Sequence, residues 1–213
     1  MKPSIQQFLF LAVILIALVS CEEERKLKNY YPIGVGEVNW DTIYQTVPAF
    51  EMLNQDGDTI SREKREELIR IFHFYCGGCD NGDAVFKNLS SLQETYLGDT
   101  LIYLLSMSIS PSVDGAERLQ ELGSTYSADA AKWDILSGDS LFTRKLVESG
   151  FHMFIEETDS SMKVPSQLVL IDKEGKVRGK YHGTKDEEIA KLKVDIEVLK
   201  NEYIPKYDWW RFW

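Results

Sequence analysis

Leu68-Ile69-Arg70-Ile71-Phe72-His73-Phe74-Tyr75-Cys76-Gly77-Gly78-Cys79 is the stretch on which the fold turns. Its first eight residues are mostly aliphatic and aromatic, the composition of a strand in the middle of a sheet. This run delivers the chain directly into a cysteine pair. Beyond the pair, Val85, Leu89, Leu92 and Tyr96 recur at intervals of three and four, which predicts a helix with Asp80 as its cap and Gly98 at its end. A thiol between a buried strand and a helix start meets unpaired N–H groups and the positive end of the helix dipole, both of which favour thiolate. Cys76 is therefore the expected nucleophile and Cys79 the residue that resolves a mixed disulfide. Gly77 and Gly78 leave the turn between them unobstructed.

Working outward, Pro48 to Gln55 followed by Asp56-Gly57 and Thr59-Ile60 predicts a β-hairpin before the central strand. After the first helix, Leu101 to Ile109 is a second apolar run of the kind buried on both faces of a sheet. Asp114–Tyr126 and Ser140–Ser149 have helical spacing, with Trp133–Leu136 a short strand between them. Gln167–Ile171 and Lys176–Tyr181 flank Lys173-Glu174-Gly175 as a late hairpin. Lys185–Tyr203 closes as an amphipathic helix carrying Ile189, Leu192, Ile196 and Leu199. This order specifies the α/β class: a central mixed β-sheet, parallel in the middle and antiparallel at one edge, flanked by helices and preceded by an N-terminal β-hairpin.

The ends read differently from the middle. Lys2 followed by the apolar stretch Phe8 to Val19 is too short to span a bilayer and has the form of a signal peptide. Leu18-Val19-Ser20-Cys21 resembles the bacterial lipobox, which makes Cys21 the expected lipidated residue and the domain extracytoplasmic. The expected organisation is a signal peptide over 1–21, a tether and extension over 22–46, the domain over 47–203 and an aromatic tail over 204–213. In that tail Tyr207, Trp209, Trp210, Phe212 and Trp213 either pack back onto the domain or meet a membrane interface or partner. The net charge of -10 argues against nucleic acid as a partner, since phosphate binding needs a basic surface.

With Cys21 used by lipid, Cys76 and Cys79 are the only thiols left of the 3 cysteines. A bridge between residues three apart closes too small a loop to act mainly as a staple, so redox or metal chemistry is the better account. Zinc would call for four ligands, and the chain offers no second cysteine pair and only His73, His152 and His182.

Several further segments carry a family resemblance. Phe50 with Asn54-Gln55-Asp56-Gly57, the aromatic strand into Cys76, Ser106 to Pro111, Trp133 to Asp139, Leu170 to Gly179 and Tyr181 to Thr184 together resemble, in order, the Sco/SenC family. The resemblance spans Val47 to Tyr203 and implies a thioredoxin-like fold and service in the assembly of the cytochrome oxidase copper centre. The functional positions depart from it. The family spaces its cysteines C-x-x-x-C with Pro following, whereas here they are C-x-x-C followed by Asp80. Val164 stands where the family places its copper-binding histidine, with Pro165 next. Val164-Pro165-Ser166 instead resembles the cis-proline loop of thioredoxins, which lies beside the disulfide and borders the substrate groove. An ordinary trans proline at a strand entry is the alternative.

The expected function is thus an envelope-facing thiol–disulfide oxidoreductase acting through Cys76 and Cys79. No resident cofactor is required, and protein thiols or disulfides are the partners, including those of a copper-site subunit. One alternative is a copper carrier holding Cu(I) on Cys76 and Cys79 with help from His73 or Met162, because Cu(I) accepts two soft thiolates where Cu(II) favours added imidazole. Another is a non-catalytic lipoprotein that uses the fold for protein contacts.

Overall fold

The computed structural model describes residues 25–37, 41–77, 82–158 and 161–204. Cys21, Cys79, Asp80 and the aromatic tail beyond Ile204 lie outside the described residues.

Five strands form the main sheet in the order β11-β10-β5-β6-β7. β5 (Ile69–Tyr75) pairs in parallel with β6 (Ile102–Ser108), and β6 with β7 (Trp133–Leu136). On the other side β10 (Gln167–Ile171) runs antiparallel to both β5 and β11 (Val177–His182). All seven residues of β5 and all seven of β6 are buried, which is why these runs show no polar alternation. The expected mixed sheet is therefore present, parallel in the middle and antiparallel at one edge.

Alternate residues of β5 serve two cores. Ile69, Ile71 and Tyr75 pack against α1 (Gly82–Thr95), α2 (Ala116–Tyr126) and α4 (Asp186–Glu202) through residues such as Leu89, Leu92, Leu119, Leu192 and Ile196. Phe72 and Phe74 pack on the opposite face with Phe50, Met52 and Ile60 of the N-terminal hairpin, and with Leu146, Val147 and Phe151. Leu146 and Val147 follow α3 (Ser140–Lys145) in a wider π-type turn, Leu146–Gly150, with Phe151 just beyond it, so the segment expected as a single helix over 140–149 changes winding midway.

The N-terminal hairpin pairs β3 (Glu51–Leu53) with β4 (Thr59–Ser61), and Gly57 takes a φ of 83° in its turn, a conformation that costs glycine little. Asn54 Oδ1 accepts hydrogen bonds from the amides of Asp56 and Asp58, closing the turn, while Asn54 Nδ2 donates to the buried Asp134 carboxylate at 3.0 Å. Gln55 reaches the free edge of β7: its Nε2 donates to Trp133 O at 2.9 Å and its Oε1 accepts from Ile135 N at 2.8 Å. The hairpin thus covers the edge of the sheet.

Two small ribbons were not expected from the sequence: β1 (Pro32–Val35) with β2 (Thr42–Tyr44), and β8 (Glu156–Thr158) with β9 (Ser161–Lys163). Residues 25–31, expected as tether, lie against the domain. Arg25 pairs with Asp195 at 2.6 Å, the amide of Leu27 donates to Glu202, and the amide of Tyr30 donates to Val177 O. Arg178 fastens this segment by donating to Leu27 O and Lys28 O while also pairing with Asp172 and Glu202.

Candidate functional site

β5 ends at Tyr75 and leaves Cys76 half-buried at the rim of the sheet, where it is disulfide-bonded. Its partner sulfur lies outside the described residues, so the expected Cys76–Cys79 bridge is not described. Beside Cys76 is a cavity of about 170 Å³. One wall is His73 to Gly77, another is Arg118 and Tyr126 of α2, and a third is Val164, Pro165 and Ser166. This last wall follows from sheet register: β10 runs antiparallel to β5 with Leu168 opposite His73, so the residues just before β10 arrive beside the end of β5. The structure thus brings Cys76, Val164 and Pro165, 88 residues apart at the first pair, to one cavity.

The cis-proline expectation is corrected. Among the described residues no peptide bond is cis, so Val164–Pro165 is trans. The following segment is tied by a 2.6 Å hydrogen bond from the amide of Gly183 to Ser166 O, an anchorage that asks for no cis bond. The residues between Gly77 and Gly82, which decide how near Cys76 lies to the start of α1, fall outside the described residues.

His73 points inward from β5. Its Nδ1 lies 3.2 Å from Ser106 Oγ and its ring meets Phe86 edge-on at 5.2 Å. Burial lowers its pKa to about 3, so the ring is neutral and packed. His152 and His182 are exposed; the first lies against Tyr31 with the rings tilted at 48° and the second is held by Thr184 Oγ1. Among the described residues no group of three His, Cys, Asp or Glu side chains is placed to hold a metal. Met162 packs on the same apolar surface as Cys76 and Val164, and its sulfur accepts weak hydrogen bonds from Ser110 and Arg144 at 3.8 and 3.7 Å. Because His73 is engaged elsewhere, the described donors lack the imidazole that Cu(II) favours and offer only soft sulfur.

Sequence reasoning missed Asp114. Expected only as the start of a helix, it is fully buried, and its Oδ2 accepts from the amide of Gly77 at 2.8 Å and from Ser108 Oγ at 2.6 Å. Burial, and then the nearby Asp114 charge, raise the pKa of the Tyr75 phenol. No local pattern marks Asp114, because its partner lies 37 positions earlier in the chain. Arg118 and Tyr126 were likewise unmarked, being ordinary polar residues until the sheet assembles the cavity around them.

Three solved structures show how widely this architecture recurs. A SCO1/SenC family lipoprotein from Bacillus anthracis str. Ames has 21% identity and a TM-score of 0.67, covering 73% of this chain and 95% of its own. BsSco, described as a member of the Sco family of cytochrome c oxidase assembly proteins with a disulfide switch, has 19% identity and a TM-score of 0.65, with 82% and 98% covered. ScoI of Arabidopsis thaliana, solved with copper bound, has 14% identity and a TM-score of 0.59, with 74% and 99% covered. At these identities the likeness establishes the thioredoxin-like fold. No curated protein matches the chain. The SCO1/SenC family model, however, matches residues 41–198, most of the sequence, and the chain therefore belongs to the SCO1/SenC family.

Proposed function

We propose that this protein is a lipid-anchored, envelope-facing thiol–disulfide oxidoreductase on a Sco scaffold. The observation that carries the reading is the disulfide of Cys76 beside a cavity walled by Val164, Pro165 and Ser166. In the reduced protein, the Cys76 thiolate attacks one sulfur of a substrate disulfide, and the substrate's other sulfur departs as a thiolate. Cys79 then attacks the mixed disulfide, releasing reduced substrate and leaving the enzyme oxidised. The reverse sequence oxidises a substrate dithiol. The Val164–Pro165 wall is suited to receive the polypeptide flanking the reacting sulfur. The substrates are protein thiols or disulfides, among them those of a cytochrome oxidase copper-site subunit, a partner class supported by the family.

Anchorage through Cys21 rests on the sequence ending Leu-Val-Ser-Cys; among the described residues no helix is long and apolar enough to cross a membrane. The test of the main reading is thiol–disulfide exchange with an oxidised model peptide. Cys76→Ser is expected to slow exchange at least about a hundredfold, the order expected for loss of an activated nucleophile. Exchange at the wild-type rate would overturn the proposal.

A second reading, carriage of Cu(I) as cargo, is favoured by the common packing of Met162 and Cys76. Reduced protein loaded anaerobically with one equivalent of Cu(I) and challenged with a Cu(I) chelator of moderate affinity tests this reading. Copper retained by the wild type and lost by Cys76→Ser supports carriage, whereas copper surrendered to the chelator by the wild type removes it.

A further inference from the structure

A buried carboxylate beside a redox-active sulfur is an unusual expense for a fold, and Asp114 does nothing that its own helix requires. α2 begins at Ala116 with Gly115 as its N-cap, and no side chain caps it. The carboxylate turns away from those amides and toward the cysteine turn. Its Oδ2 takes the Gly77 amide and the Ser108 hydroxyl, and its Oδ1 is buried with no hydrogen-bond partner. Buried polar atoms left unpaired are costly and occur seldom outside functional or strained sites. Ser108 is in turn fixed by the amide of Ser110, so the carboxylate is held from behind. On the other side the fit to Gly77 is tight: a methyl group placed there would overlap Asp114 Oδ1 and come within 3.0 Å of Val113 Cγ1.

We infer that Asp114 is a positioning residue for the Cys76 disulfide, holding the Cys76–Gly77 turn in the form that the disulfide takes and opposing its reduction. The inference rests on the oxidoreductase reading above. Four covalent bonds separate Gly77 N from Cys76 Sγ, so Oδ2 is within roughly 8 Å of that sulfur. Two effects act in one direction. The hydrogen bond to Gly77 favours the turn seen in the disulfide state. The buried negative charge disfavours the second negative charge that develops on sulfur when the bond opens, an interaction little screened in a buried site. The reaction affected is balanced: two glutathione thiols become one glutathione disulfide, the Cys76 disulfide becomes a Cys76 thiolate and a partner thiol, and one proton is released.

The test is the equilibrium of the full chain with a glutathione redox buffer. Asp114→Asn preserves shape and removes charge. Gly77→Ala leaves the carboxylate in the chain but drives it from its seat. Each is expected to make the disulfide about tenfold easier to reduce, equivalent to about 30 mV. In the Asp114→Ala background, where the methyl has room, Gly77→Ala should add no further shift. Equilibrium constants within twofold of wild type for Asp114→Asn and Gly77→Ala, even with lowered thermal stability, would show a merely structural role and overturn the inference. Should Asp114→Asn not accumulate folded, Gly77→Ala decides alone by the same criterion. A wild-type chain that never equilibrates with glutathione removes the oxidoreductase reading and this inference with it. A wild-type chain that equilibrates while the variants match it removes this inference only.

Discussion

His73 shows how a residue near a cysteine pair can belong to the core. Its place on the inward face of β5 leaves it 2% exposed against Ser106 and Phe86, with a pKa near 3. The unfolded chain binds a proton there below about pH 6.5, while the folded chain does not until about pH 3, so the folded state is penalised progressively as pH falls through that window. The total is on the order of 4 kcal/mol by pH 3. Urea unfolding between pH 7 and pH 4 should therefore show a loss of stability that His73→Gln removes in large part; an identical pH slope in the variant would refute the assignment. At this scale the sequence disclosed the cysteines, through their spacing and the strand before them. It disclosed Val164 and Pro165 only through family resemblance. Asp114 was invisible, since its meaning comes from a hydrogen bond to a residue far away in the chain.

Elements were legible wherever burial imposed a period. β5 and β6 were plain because both faces are covered, and α1 and α4 because their apolar stripes are long. β1, β2, β8 and β9 were not, being three- or four-residue ribbons whose described residues are largely exposed, with too little burial to enforce alternation. The N-terminal hairpin was recognised from its Asp-Gly turn, but not the contacts by which it covers β7: the Leu53–Ser137 backbone bridge, the Asn54–Asp134 hydrogen bond and the Gln55 amide. Gln55 supplies both a donor and an acceptor to the open edge of β7. Gln55→Ala should cost about 1–3 kcal/mol, because two buried backbone groups lose their partners. A shift in the urea midpoint at constant slope would register it, and an unchanged midpoint would mean that water replaces the amide without loss. Gly123→Ala should act in the same direction more weakly, since the added methyl would sit 3.1 Å from Gln55 Cγ.

At the level of the whole molecule, Arg178 ties together parts of the chain that are distant in sequence. It joins Leu27 and Lys28 to the last hairpin through Asp172 and to the end of α4 through Glu202, and its side chain is 6% exposed. Arg178→Ala leaves two carboxylates without their cation and should cost about 3–5 kcal/mol, as breaking a buried pair does. Limited proteolysis should then cut first after Arg25, Lys26 or Lys28; cleavage no faster than in wild type would show that the segment is held by other contacts. Nothing in the charged string Arg25-Lys26-Leu27-Lys28 announces this docking, because its partners Arg178, Asp195 and Glu202 come from the far C-terminal part of the chain. Its consequence is one of reach. On the proposed anchorage at Cys21, only four residue steps separate the acylated cysteine from the docked Arg25, about 14 Å when fully extended. The domain would patrol a thin layer above the bilayer, and a partner embedded in that same membrane would meet it at a raised effective concentration while targets deeper in the compartment would seldom meet it.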